Sequence, residues 1–427
     1  MTICVVALGK IGLPLAVQFA ASGHQVIGVD VNEEVVDMVN AGVEPFPGEA
    51  ELTSKLKATV ETGLLTATTD TTAAVAESEV VVVVVPLLVD TEGVPDFVQI
   101  DSATTAIASG LRAGTLVSYE TTLPVGTTRT RFAPMLEHGS GLTAGRGFHL
   151  VFSPERVLTG RIFADLRRYP KLLGGIDRAS AQRGVEFYED VLDFDERPDL
   201  DQPNRVWDLG SSEAAEMAKL AETTYRDVNI ALANQFARFA DGANIDIKRV
   251  IDACNTQPYS NIHEPGIAVG GHCIPVYPRM YLWNDPSATI VQTARAVNAS
   301  MPSYAVDLLA TAYGDLTGLN VLVLGATYRG GVQETAFSGV FPIFEELRAR
   351  GAVPYVTDPM YTPAELAALG LTPHQGQVVT AAIIQADHPE YRELSAADLP
   401  EVRVLVDGRR ITDPVRWSGV RRVVIGG

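Results

Sequence analysis

Apolar positions change period along the chain. Short continuous apolar runs alternate with stretches where apolar residues recur every three or four positions. The opening run ICVVALG reads as a strand, IGLPLAVQFAASG as a helix and QVIGVDV as a second strand, a βαβ unit. AESEVVVVVVP is apolar without alternation, as a strand is when both faces of a parallel sheet are covered. TLVSYETTLPVGTT and HLVFSPERV are two more strands that run into polar loops. From Ser211 to about Gly242 the period is helical: Ser212 suits the cap, Glu213 the first turn and Gly242 the end. A helix of that length bridges domains or forms a subunit interface. Downstream, NVLVLGATYRGG, AVPYVTDP, VVTAAIIQADH and VRVLVDGRRI are strand-like runs ending in polar residues, and FSGVFPIFEELRARG is a helix among them. The fold class is α/β: two Rossmann-like doubly wound parallel-sheet domains joined by a long central helical segment. The expected boundaries are 1–205, 206–302 and 303–427.

The first polar loop carries chemistry. Ala7-Leu8-Gly9-Lys10-Ile11-Gly12 is a G-x-G-x-x-G turn with alanine in the first slot. Gly9 lets backbone approach a pyrophosphate, Gly12 lets the helix pack on the strand, and the helix N-terminus offers free N–H groups. Asp30 ends the second strand, where a carboxylate accepts from a ribose diol and repels a 2′-phosphate. NAD is therefore expected over NADP. Only the first lobe has this fingerprint. In the long helix, Lys219, Thr223 and Arg226 fall at i, i+4 and i+7 on one face, which also fits a solvated face with a Glu222–Arg226 pair.

Composition narrows the classes. The chain has 427 residues, 46% of them hydrophobic, enough for two or three domains with real cores. A formal charge of −19 argues against nucleic acid or an anionic membrane as partner. An anionic substrate must then be held by local cations, and lysine is scarce: positions 10, 55, 57, 171, 219 and 248. Three cysteines make no disulfide framework, and no Cys-x-x-Cys pair suggests a zinc site, so no metal is expected and a reducing, cytoplasmic compartment is. The N-terminus MTICVVALGK lacks the basic n-region of a signal peptide, and the longest apolar run, broken at Pro86, is too short to span a bilayer. Within IAVGGHCIPVYP, Cys273 follows two glycines and a histidine, a context that suits a nucleophile as well as a small buried apolar residue. Cys4, in an apolar strand, and Cys254, in a helical segment, are read as packing residues.

Over nearly its whole length the chain resembles the UDP-glucose/GDP-mannose dehydrogenase family. The resemblance rests on ALGKIGLPLA, VVVVVP, ETTLPVGTT, FSPERVLTGR, PKLLGG, AAEMAKLAETTYRDVNIA, VGGHCIPVYP, VLGATYRGGVQET and ADHPEY, in that order. It implies an NAD-binding domain, a helical linker that dimerises and a C-terminal domain that helps bind the nucleotide sugar. The arginine in SPERV resembles the branch acting on UDP-N-acetylhexosamines, where UDP-glucose enzymes look like SPEFL. The implied chemistry oxidises C6 of the sugar to a carboxylate with two NAD, through a thiohemiacetal and a thioester on Cys273. By the same resemblance Lys219 stabilises the oxyanion, Glu155 handles protons or water, and Thr122 sits near the nicotinamide. The implied cofactor contacts are Gly9, Lys10, Ile11, Gly12, Asp30, Pro86, Thr121 and Thr122. The implied substrate contacts are Glu155, Arg156, Val157, Lys219, Tyr259, Gly270, Gly271 and Arg329. A surface pair of Glu155 with Arg156 is the plain alternative for that carboxylate.

Four positions depart from the family pattern. Tyr277 stands where the family usually has aspartate, and Thr223 where it has asparagine; both fall in the oxyanion and proton-handling network. Tyr259 and Ala336 stand where related members carry arginine. A tyrosine is a poor base at neutral pH but can donate a hydrogen bond to an oxyanion. Three functions stay open on the sequence. One is a four-electron dehydrogenase making a UDP-hexosaminuronic acid with Glu155 activating water. The others are a two-electron or redox-neutral enzyme on the same scaffold, and a nucleotide-sugar-binding protein that has lost catalysis.

Overall fold

A computed structural model describes residues 1–90 and 93–427. The chain divides into two compact units, Met1–Ala221 and Glu222–Gly427, and the division falls inside one helix, Ser212–Ala243.

The first unit is built on eight strands: β1 (Thr2–Val6), β2 (Gln25–Val29), β3 (Leu65–Thr68), β4 (Val80–Val83), β5 (Leu116–Tyr119), β6 (His149–Phe152), β7 (Lys171–Gly175) and β8 (Val206–Asp208). Their order across the sheet is 3-2-1-4-5-6-7-8. That is the dinucleotide-binding order, with its switch point between β1 and β4. All four residues of β4 are fully buried, Val80 against Ile3 of β1 and Leu116 of β5, which explains its unbroken valine run. Helix Gly12–Ala21 buries Leu13, Val17 and Phe19, and Phe19 meets Phe187 of helix Arg178–Val191 edge to face. The last two strands run against the other six, since β8 pairs parallel with β7. β7 is antiparallel to β6, with Phe152 opposite Gly174. It therefore brings its N-terminal residue, Lys171, to the edge where the parallel strands end. Neither β3, β7 nor β8 is distinct in the apolar pattern; each is short and partly polar.

The second unit carries β9 (Asn320–Leu324), β10 (Val353–Thr357), β11 (Ala381–Ile384), β12 (Val404–Asp407) and β13 (Arg421–Val424), all parallel, in the order 10-9-11-12-13. This is the shorter doubly wound order, with β9 and β11 flanking its switch point. Helix Val340–Ala349 packs Val340, Ile343, Phe344 and Leu347 into the core of this sheet, as its period predicts.

Two expectations about the central helix need correction. Ser211, not Ser212, is the cap: its Oγ accepts from Ala214 N at 3.1 Å, while the Ser212 hydroxyl donates to Glu213. The left-handed residue past the helix is Asn244 (φ 55°), not Gly242. Asparagine tolerates that conformation better than other side chains.

Candidate functional site

The nucleotide loop follows β1. Ala7, in the first glycine slot, adopts φ 77° and so keeps the left-handed turn that glycine would provide. Gly12 is required by space, since a Cβ there would lie 1.9 Å from Ala7 O. Gly9 has open space around its missing Cβ, Lys10 is exposed, and Ile11 precedes the helix with no side-chain cap. The first helical N–H groups thus face the loop unclaimed by a capping side chain, as a phosphate site needs. Asp30 is aimed by the same loop: Oδ2 accepts from Leu8 N at 2.8 Å and Oδ1 from Asn32 N at 3.0 Å. These residues fit a dinucleotide with an unphosphorylated ribose. Across the switch point Pro86 is exposed, Thr121 donates to Val85 O at 2.7 Å, and Thr122 is buried.

The carboxyl edge of β5 and β6 holds a charged cluster. Glu120 follows β5, Glu155 lies in the loop after β6, and Lys171 begins β7. Lys171 Nζ donates to Glu120 Oε2 at 2.7 Å and to Glu155 Oε1. Tyr188 donates its hydroxyl to Glu120 Oε1 at 2.6 Å, and its ring lies 4.7 Å from the ammonium. Lys219 Nζ donates to Glu155 O at 2.7 Å. Lys219, Lys171 and both carboxylates are all nearly or fully removed from solvent. Burial pushes the Lys171 pKa below the usual ammonium value; Glu120 opposes that shift and Lys219 adds to it. Glu155 is nearly removed from solvent and pairs with Lys171 rather than standing as a surface carboxylate. Arg156 instead approaches Pro170 O (3.4 Å) and the Tyr169 ring, with Val157 against the core behind it.

One turn before Lys219, buried Glu216 accepts from Gly126 N (2.5 Å), Thr128 N (2.9 Å) and Thr128 Oγ1 (2.7 Å). It ties the loop that follows Thr122 to the helix that carries Lys219. Desolvation nevertheless pushes its carboxyl up to about 7, against those three donors.

In the second unit the thiol loop is tightly packed although Cys273 itself is exposed. A Cβ at Gly270 would lie 2.5 Å from Tyr328 Cβ, and Gly271 has φ 89° while donating to Ala336 O at 2.8 Å. Cys273 O accepts from Tyr277 N at 2.9 Å, which places the thiol residue one turn ahead of helix Tyr277–Asn284. His272 pairs with Glu334 at 3.3 Å. Arg329 is exposed and its Nε donates to Tyr328 OH at 3.1 Å. Thr223 is buried, and Tyr277 is half-buried. Tyr259 is 95% exposed on its loop. The other cysteines are packing residues in part: Cys4 is fully buried, with its thiol pushed up to about 12 by desolvation, and Cys254 ends helix Ile247–Cys254.

Three family models match in succession: the UDP-glucose/GDP-mannose dehydrogenase family NAD binding domain over residues 1–192, its central domain over 213–300 and its UDP binding domain over 322–414. The chain belongs to this family. It is an NAD-dependent dehydrogenase whose substrate is a nucleotide sugar. Among its relatives, the UDP-N-acetyl-D-mannosamine dehydrogenase of Pyrococcus horikoshii is 34% identical, with 96% of each chain covered. The enzyme of that name from Escherichia coli K12 is 36% identical over 74% of this chain and 73% of its own. The solved Pyrococcus structure superposes with a TM-score of 0.88 at 32% identity, covering 100% of this chain and 99% of that one. Among the described residues no helix is long and apolar enough to cross a membrane.

Sequence reasoning missed Glu120, Lys171, Tyr188 and Glu216. Lys171 was visible only as one of six lysines; its meaning depends on the antiparallel strand. Tyr188 comes from a helix tens of residues away.

Proposed function

We propose that the enzyme oxidises C6 of a UDP-N-acetylhexosamine, first of all UDP-N-acetylmannosamine, to the uronate. The observation that carries this reading is the exposed Cys273 thiol, presented by a loop crowded to the point of excluding side chains at Gly270. A binding protein has no use for that presentation, and a two-electron enzyme has no use for the thiol. The names of the relatives supply the sugar.

The bound dinucleotide supplies the hydride acceptor at each of two oxidations. The chain's own groups do the rest. Lys219, whose ammonium lies at the carbonyl of Glu155, compensates the alkoxide of the C6 hydroxyl and later the thiohemiacetal oxyanion. The Cys273 thiolate adds to the aldehyde carbon, and the carbonyl oxygen becomes that oxyanion. This creates the tetrahedral centre that an aldehyde lacks, and loss of hydride from it leaves a thioester. Glu155 takes a proton from water as the water attacks the thioester carbon, and the C–S bond breaks to return the thiolate. Tyr277 and Thr223 donate hydrogen bonds in place of a carboxylate and an amide, with Thr122 at the nicotinamide side. Arg156, Val157, Gly270, Gly271, Tyr259 and Arg329 form the sugar-nucleotide contacts.

The enzyme works as a cytoplasmic homodimer of chains divided at 1–205, 206–302 and 303–427. Support for the dimer comes from Tyr225, Leu232, Phe236 and Phe239, exposed apolar residues spaced along the central helix. The test is NADH yield with UDP-N-acetylmannosamine. Two NADH per sugar are expected, and Cys273→Ser should abolish that yield because an alkoxide is a far poorer nucleophile at neutral pH. Tyr277→Phe should slow thioester cleavage and let an adduct on Cys273 build up in intact-protein mass spectra. A Cys273→Ser enzyme that still yields two NADH removes the covalent mechanism.

A further inference from the structure

Glu155 is held at both ends by lysines. Lys219 takes its carbonyl, and Lys171 takes its carboxylate. Lys171 has only three donors, and each is spoken for: one to Glu120, one to Glu155, one toward the Tyr188 ring. Glu120 is fixed in turn by the Tyr188 hydroxyl, which also meets Ser118 Oγ at 2.7 Å. The result is one buried ammonium shared by two carboxylates, with Lys219 as the other charged group that bears on it. The net charge of the four groups is zero when all are ionised. Removing one cation from such a set leaves two adjacent carboxylates that resist both being ionised.

We propose that Lys171 is a positioning residue for the hydrolytic step, fixing the ionisation and the aim of Glu155, while Glu120 competes for the same ammonium and moderates its effect. This rests on the reading of Glu155 as the base that activates water. The geometry behind it is that the carboxylate, with little solvent around it, meets an ammonium at the sheet edge rather than water. The antiparallel strand supplies this cation because its N-terminal residue lies at the edge where the parallel strands end.

Two substitutions should act in opposite directions. Lys171→Met removes the cation beside Glu155, and loss of an opposite charge at contact raises a carboxyl pKa by about 1–3 units. The acid limb of thioester cleavage should therefore move to higher pH by that amount. Glu120→Gln leaves Lys171 to Glu155 alone, so the same limb should move to lower pH. Lys171→Arg should return the limb to the wild-type position. The step is isolated by loading enzyme with UDP-N-acetylmannosamine and NAD, quenching at intervals from pH 5 to 9, and following decay of the Cys273 adduct by intact-protein mass spectrometry. Should Lys171→Met fail to fold, the Glu120→Gln and Lys171→Arg arms still decide. A limb that stays put in Glu120→Gln, or moves upward, overturns the proposal, because a merely structural role predicts no downward shift. Glu155→Gln separates this failure from that of the underlying reading. If the limb vanishes in Glu155→Gln but ignores residues 120 and 171, the positioning role alone is wrong. If it survives in Glu155→Gln, the base is another group and both fall.

Discussion

Substituting Gly12 by alanine tests the nucleotide loop at its tightest point. The added Cβ would lie 1.9 Å from Ala7 O, and a carbon–oxygen contact normally needs about 3.3 Å, so about 1.4 Å must be found. Neither partner is a flexible side-chain end. One is the backbone of the turn and the other the first turn of a helix whose Leu13, Val17 and Phe19 are buried in the core. Overpacking of a core costs about 1–3 kcal/mol, and a backbone-against-backbone clash belongs at the upper end. About 3 kcal/mol at 2–4 °C per kcal/mol gives a fall of about 6–12 °C in the unfolding transition of the first unit. The same displacement carries the helix N–H groups away from the phosphates, so NAD affinity should fall by more than tenfold while UDP affinity holds. Ala7→Gly has the opposite sign. The left-handed conformation costs an L-residue about 1–2 kcal/mol, and the glycine gives back roughly 0.5–1 kcal/mol through the unfolded chain. A net gain of about 0.5–1 kcal/mol is expected. Differential scanning calorimetry and NAD titration calorimetry read both variants. A Gly12→Ala enzyme that melts within 1 °C of wild type (~0.5 kcal/mol or less) and binds NAD normally would falsify the packing argument.

Cofactor choice follows from Asp30: kcat/KM for NADP should be at least tenfold below that for NAD, and Asp30→Ala should narrow the gap; equal values for the native enzyme would take Asp30 out of this role. Glu216 predicts a pH dependence of stability. Its folded pKa of about 7 lies above the usual 4.5, so the protonated form favours folding; that contribution is complete below pH 4.5 and lost as pH rises to 7. Over 2.5 units the span is at most about 3.4 kcal/mol, and Glu216→Gln should flatten the slope of melting temperature between pH 4.5 and 7. A slope unchanged in that variant would mean that the three donors, not burial, decide its charge. For the proposed dimer, Phe239 is 70% exposed on the central helix, and light scattering should show a dimer for the native enzyme and a monomer for Phe239→Asp.

What could be read from the sequence was chemistry confined to one turn or one helix. The Ala7–Gly12 loop was legible because its strand, glycines and helix are contiguous, and even the alanine was harmless to the argument since Ala7 takes the glycine's φ. The central helix was legible to within a residue at its start because a 3.6-residue period needs no partner to be seen. β1, β2, β4, β5 and β6 were legible as apolar runs, but β3, β7 and β8 were not: LTAT is half polar, VWD is three residues long, and the five residues of KLLGG have no period. The omission of β7 concealed the charged cluster, since the direction of β7 decides which end of the sheet Lys171 occupies. Ala336 shows the complementary case. Its side chain departs from the family pattern, yet its carbonyl receives Gly271 N, and no residue type announces a backbone contact. The departures at Tyr277 and Thr223 therefore weigh less than they did on the page of letters. A site that loses one carboxylate keeps its base if another carboxylate is already charged, aimed and insulated. On the proposed reading Glu155 takes that place, aimed by Lys171 at a sheet edge that the fold buries.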